Sequence, residues 1–183
     1  MQPRRLAAQR GLTLVETIFG VAIMLVLGAA SLPALGKLIG GNRAHAAQTT
    51  LLASLDLARA AAITRMSEVV LCPSDDRRHC TATPWWQHGW IVFQDVDGDG
   101  KRDADEPLLA VTEPLEGIAV ATSAGRERVV YRYDGSAGGT NLTFTLCDRR
   151  GPKYASTVVV NNAGRARTAP ASAAEAAAAC KGI

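Results

Sequence analysis

The chain lacks the usual side-chain groupings of covalent and redox chemistry. Its three histidines, His45, His79 and His88, have no serine or cysteine nearby in an arrangement suited to nucleophilic attack. None of its four cysteines stands in a Cys-x-x-Cys pair, and no histidine cluster accompanies them, which argues against a zinc site or a thioredoxin-type motif. The chain is therefore read as a non-enzyme with no cofactor of its own. Aromatics are scarce, nine in 183 residues, and the length suits one modest core plus an appendage. The net charge of +3 is too small to demand a polyanionic partner. The most informative scarcity is local: Ile18 to Ile39, IFGVAIMLVLGAASLPALGKLI, has Lys37 as its only charge.

As a helix, that run is long enough to cross about 30 Å of hydrocarbon. Arg4, Arg5 and Arg10 precede it, and the positive-inside bias keeps them cytoplasmic and sends the rest of the chain across the membrane. Gly28, Pro33, Gly36, Gly40 and Gly41 are costly in a helix, so kinks or local melting are expected there. Ahead of the run, RGLTLVET puts Gly11 at the end of a short basic leader and Glu16 five residues beyond it. This resembles the prepilin signal of the type IV pilin superfamily. The resemblance implies cleavage between Gly11 and Leu12 by a membrane-embedded prepilin peptidase, methylation of the new amino terminus at Leu12, and Glu16 as the acidic fifth residue of the mature chain. Leu12 departs from the phenylalanine of most members. A carboxylate at the edge of an apolar helix is expensive to bury, and the exposed amino group of a neighbouring subunit is its natural partner. Two rival readings are an ordinary secretory signal cut within Arg43 to Ala46, releasing a chain that starts at Ala47, and a plain signal-anchor. The first is opposed by an apolar run longer than the roughly 7 to 15 residues of a signal core, and the second leaves Gly11 unexplained.

Beyond the run, Ala44 to Ser67 is rich in helix formers, with Leu51, Leu55, Ala58, Ala62 and Met66 at helical spacing, and is read as the amphipathic continuation of the same helix. Its apolar stripe should pack on a sheet. Short runs rich in Val, Ile, Thr and Tyr follow, bounded by Gly, Pro, Asp and Asn. They predict antiparallel strands near Glu68 to Cys72, Trp90 to Gln94, Leu108 to Thr112, Ile118 to Ala121, Val129 to Tyr133, Thr140 to Cys147 and Thr157 to Val160. The alanine-rich stretch Thr168 to Ala179 reads as a short helix or a tail. Cys72, Cys80, Cys147 and Cys180 allow three pairings; spacing favours Cys72 with Cys80 and leaves Cys147 for Cys180, as structural disulfides of an oxidising compartment. Trp85, Trp86 and Trp90 are expected to pack beneath the Cys72 to Cys80 loop.

Several stretches resemble the GspH/FimT group of minor pilins and pseudopilins: Ala58-Arg59-Ala60 with Arg65, Val70 to Ser74, Gly89 to Asp95, Phe144 to Asp148, and Gly164-Arg165-Ala166-Arg167. The resemblance implies an α+β, type IV pilin-like fold, a long N-terminal helix packed on an antiparallel β-sheet domain, transmembrane in its first half. Residues 1–11 are then the leader, 12–39 the transmembrane and filament-core half of the helix, 40–67 its amphipathic half, and 68–183 the periplasmic domain. It further implies a minor pilin of a type IV pilus, engaged in assembly or initiation, with a GspH-like pseudopilin of a type II secretion system as the alternative. The implied partners are other pilins and the prepilin peptidase and methyltransferase. The implied location is the bacterial inner membrane, single-pass with a cytoplasmic N-terminus, and then the pilus or pseudopilus.

Two stretches are candidate binding chemistry. Asp95 to Glu106 fits the spacing D-x-D-x-D-G-x5-E, which offers Asp95, Asp97, Asp99, Asp103 and Glu106 as oxygen ligands for Ca2+. A solvated Asp/Gly turn between two strands is the plain alternative, and Arg102 occupies a normally apolar position. The second is basic: Arg126, Arg128, Arg132, Arg149, Arg150, Lys153, Arg165 and Arg167 stand against three carboxylates. Arginines presented together bridge phosphates bidentately, which makes double-stranded DNA a candidate partner, as for some members of the group in natural transformation. A solvated basic face, or ion pairs to neighbouring pilins, is the plainer alternative.

Overall fold

Thr13 starts the first helix, α1 (Leu14–Arg65), with its hydroxyl accepting the Glu16 N–H at 3.3 Å. The computed structural model describes residues 13–123, 125–139 and 142–183, the side chains of residues 30–35 excepted, so Gly11, Leu12 and the leader lie outside the described residues. The Thr13 contact satisfies one of the orphan donors of the first turn, and the Glu16 carboxylate complements the positive end of the helix. The backbone is helical at Gly28, Pro33, Gly36, Gly40 and Gly41. The helix stops where Met66 adopts a left-handed φ of 53° and the Ser67 N–H reaches back 3.3 Å to the Ala62 carbonyl, a Schellman-type end. Met66 is thus not the last member of the apolar stripe: it is 71% exposed, whereas Leu51, Leu55, Ala58 and Ala62 are fully buried.

The chain divides into two compact units, one up to Leu38 and one of Ile39–Ile183. The amphipathic half of α1 therefore belongs to the sheet domain and is not a segment apart. Among the described residues eight strands follow α1: β1 (Glu68–Pro73), β2 (Trp90–Asp95), β3 (Leu108–Thr112), β4 (Ile118–Thr122), β5 (Val129–Tyr131), β6 (Leu142–Asp148), β7 (Ser156–Val160) and β8 (Ala166–Pro170). They form two four-stranded sheets, ordered β3-β2-β1-β5 and β4-β6-β7-β8, and all of their strand pairs are antiparallel. Strand β8 occupies residues expected to lie partly in a helical tail; its Thr168 and Ala169 pair with Val158 and Thr157 instead. The short helix α2 (Ala173–Ala179) starts later, behind a capping box in which Ser172 and Glu175 serve each other's backbone N–H.

One apolar core joins α1 to both sheets through Leu51, Leu55, Ala58, Leu71, Trp86, Trp90, Val120, Phe144, Leu146 and Val158. Because side chains alternate along a strand, β1 and β2 send Val70, Cys72, Ile91 and Phe93 to a second, smaller cluster on the far face, where Cys80 also packs. The tryptophans accordingly do not lie beneath the Cys72 to Cys80 loop. Trp86 and Trp90 are buried in the main core, Trp86 edge-on to Phe144 at 4.9 Å, while Trp85 is half-buried beside Gly182. Cys72 is bonded to Cys80 and Cys147 to Cys180, the latter tying β6 to the end of α2.

Candidate functional surfaces

The first half of α1 presents large apolar side chains to its surroundings. Leu14, Val15, Ile18, Phe19, Val21, Ile23, Met24, Leu25, Val26 and Leu27 are all at least 59% exposed. Among the described residues no helix is long and apolar enough to cross a membrane. The run read as a span, Ile18 to Ile39, includes residues 30–35, whose side chains are not described. Helix α1 passes unbroken through Arg43 to Ala46, and Ala47 is buried in the core, so the site proposed for ordinary signal peptidase lies inside folded helix.

The acidic loop joins β2 to β3. Asp95, 2% exposed, accepts the N–H groups of Gly98 and Gly100 at 2.9 Å each. Burial pushes its carboxyl above the ordinary aspartate range; the two N–H donors pull it back, and the charges of Glu106 and Asp97 add to the rise. Glu106, also buried, accepts from Val96 at 2.6 Å and from Asp103 at 3.1 Å, which closes the loop on itself. Among the described residues the carboxylates whose oxygens gather within 4.8 Å are Asp95, Asp97 and Asp99. Asp103 and Glu106 stand outside that group, so the five expected ligands are not brought together. Arg102 explains its unusual position by donating to the carbonyls of Arg78 and Glu106, which ties this loop to the Cys72–Cys80 loop.

The eight cations of the basic stretch come from several elements and the loops between them. Arg128 donates to the Gly100 carbonyl beneath the acidic loop, and Arg132 lies 4.0 Å from Glu68. Arg149, Arg150 and Lys153 sit on the turn after β6. Arg165 and Arg167 are both exposed, Arg167 opposite Val159 on the edge strand β8 and Arg165 one residue ahead of it, with its backbone paired to Asn161. Neither of their side chains has a polar partner among the described residues. The preceding Gly164 has a structural reason, since a Cβ there would fall on the Gly135 carbonyl oxygen and its φ is +73°.

Arg59 and Arg65, which the motifs singled out without a role, fasten α1 to the domain. Arg59 donates to the Gly135 carbonyl at 3.0 Å and Arg65 to the Gln94 side chain at 3.0 Å. Sequence reasoning missed Arg43, which approaches Glu116 at 3.8 Å, and missed that Gly40 and Gly41 lie under Arg150. The adjacent glycines directly behind the apolar run were the available signal.

A long N-terminal helix whose second half is built into two antiparallel sheets, with disulfides closing one loop and the C-terminal end, is the architecture of a pilin-like protein. The family described as type II transport protein GspH matches residues 47–164, and the chain belongs to it, a GspH/FimT-type member of the pilin-like proteins. The fold is similar to crystal structures of the type IV minor pilin FimU of Pseudomonas aeruginosa. One has 19% identity over 69% of this chain and 92% of that one, with a TM-score of 0.55; another has 17% identity over 74% and 91%, with a TM-score of 0.56. The minor pseudopilin EpsH from the type II secretion system of Vibrio cholerae is 15% identical over 70% of this chain and 97% of that one, with a TM-score of 0.49. No curated protein matches the chain.

Proposed function

We propose that the chain is a minor pilin of a type IV pilus, cut by the prepilin peptidase between Gly11 and Leu12, methylated at Leu12, and anchored by the first half of α1 before it joins a filament near its start. The single observation that carries this reading is the contrast along one helix. Leu51, Leu55, Ala58 and Ala62 on one face of the second half are buried in the domain's own core, whereas the large apolar side chains from Leu14 to Leu27 are exposed. A surface of that size requires lipid or the helices of other subunits. The test has two parts. Mass spectrometry of the mature protein is expected to find a methylated Leu12 as first residue; a chain beginning at Ala47 would overturn the anchor. Glu16→Ala is expected to abolish incorporation into filaments while the domain folds, and unaltered incorporation would remove the pairing with a neighbour's amino terminus. The pseudopilin alternative predicts assembly with the components of a secretion system instead of a pilus.

DNA contact is proposed for Arg165 and Arg167, supported by their exposure and by their lying two residues apart at one sheet edge. Phosphate contact implies little sequence preference and strong salt dependence. A gel-shift series is expected to show binding that Arg165→Ala/Arg167→Ala removes, and equal binding by this variant would refute it. A second reading places Ca2+ on the acidic loop, favoured by the approach of Asp95, Asp97 and Asp99. Calcium is then expected to raise the melting temperature of the parent protein and leave Asp97→Asn/Asp99→Asn unmoved. An unmoved parent would leave the loop a turn stabilised by its own N–H donors.

A further inference from the structure

Cations gather on the domain just where the apolar run ends. Arg150 lies along Gly40 and Gly41, its side chain 3.4 Å and 3.1 Å from where a Cβ would be at those two positions. It is held there by Asp148, 1% exposed, through bonds of 2.6 Å and 3.0 Å, with its guanidinium 4.7 Å from the centre of the Tyr154 ring. Arg43 and Arg149 both come to Gly117, their nitrogens 3.3 Å and 3.7 Å from where its Cβ would stand. Lys153 is exposed on the same turn as Arg150. Two carboxylates face these four cations: Asp148 is consumed by Arg150, and Glu116 reaches Arg43 only at 3.8 Å while 89% exposed. The side chains of Arg149 and Lys153 have no ion-pair or hydrogen-bond partner among the described residues.

We infer that this collar binds the phosphates of anionic phospholipids on the outer leaflet of the membrane that holds the subunit before assembly. The inference rests on the anchored reading above. Arg43 and Arg149 both approach Gly117, and a phosphate accepts bidentate bonds from guanidinium groups presented together in this way. Gly40 and Gly41 follow the apolar run directly in the sequence, and positions flanking such a run are the ones that meet headgroups. Each lysine or arginine near an anionic surface strengthens attachment about fivefold. Duplex DNA is disfavoured, because a headgroup-level collar is covered by the bilayer while the subunit is anchored.

The experiment uses the full chain reconstituted into nanodiscs of phosphatidylcholine, with and without phosphatidylglycerol, read by amide hydrogen exchange. Protection of residues 115–118 and 149–154 is expected only with phosphatidylglycerol, and to fade as salt is raised. In Arg149→Ala/Lys153→Ala that protection is expected to be lost, since two cations at about fivefold each weaken attachment about 25-fold, while Arg165→Ala/Arg167→Ala leaves it unchanged. Insertion into both discs with identical exchange would overturn the collar and leave the anchor standing. Failure to enter either disc would overturn both. Equal protection of the same residues by a duplex oligonucleotide, with no dependence on headgroup, would reassign the surface to nucleic acid.

Discussion

Trp90 links α1 to the first sheet: its indole N–H donates to the Ser54 hydroxyl at 3.0 Å inside the core, and Ser54 in turn donates to the Thr50 carbonyl. Trp90→Phe is expected to cost about 1 kcal/mol beyond the lost volume, measured by urea denaturation, because a buried hydroxyl loses a donor. Trp86 offers a contrast, since its indole nitrogen has no partner among the described residues, so Trp86→Phe loses packing alone. That these tryptophans are core residues was legible from their clustering in a chain poor in aromatics. Which face they occupy was not, because one step along a strand exchanges the main core for the disulfide cluster. Asp76 and Asp95 show the same dependence on surroundings. The His79 ring and the N–H groups of His79 and Arg78 hold Asp76 below its ordinary range, whereas burial lifts Asp95 above it. Asp76 therefore contributes stability above the unfolded aspartate pKa that is lost on acidification, and Asp95 contributes the reverse, stabilising at low pH and less so as pH rises.

At the scale of elements, the strand runs were readable from composition, and α1 from its helix formers. Strand β8 escaped because Ala166 to Pro170 has no alternating apolar pattern; it is an edge strand beside β7, where the Thr157 hydroxyl also donates to the Ala169 carbonyl. Helix α2 is shorter than most isolated stable helices and depends on its cap. Ser172→Ala is expected to cost about 1 kcal/mol and to speed amide exchange across Ala173 to Ala179. The Ser172 hydroxyl and N–H also hold the Glu175 carboxyl below its ordinary range. A depressed folded pKa means stability that is present above the unfolded glutamate value and lost as pH falls through the folded one. Glu175→Gln should accordingly flatten the acid side of the stability profile, read as midpoint against pH.

For the whole molecule, two disulfides and one shared core bind the sheets and the C-terminal end into the unit that starts at Ile39. Cys147→Ala/Cys180→Ala opens a loop of 33 residues and is expected to lower stability by about 2 to 4 kcal/mol. Cys72→Ala/Cys80→Ala, with a separation of 8, should cost less, and thermal denaturation of the two variants ranks them. By itself the sequence determined the apolar run and the arginines ahead of it, the helix that continues it and most strands, because hydrophobic spacing and charge are local properties of consecutive residues. Only the tertiary structure decided which cations meet. It placed Arg128 and Arg132 at the two ends of β5 in one sheet and Arg167 on β8 in the other, and it brought Arg43 and Arg149 to Gly117 and Arg150 to Gly40. Such meetings depend on strand order and on which face of each strand is turned inward, and both are settled by long-range pairing and burial.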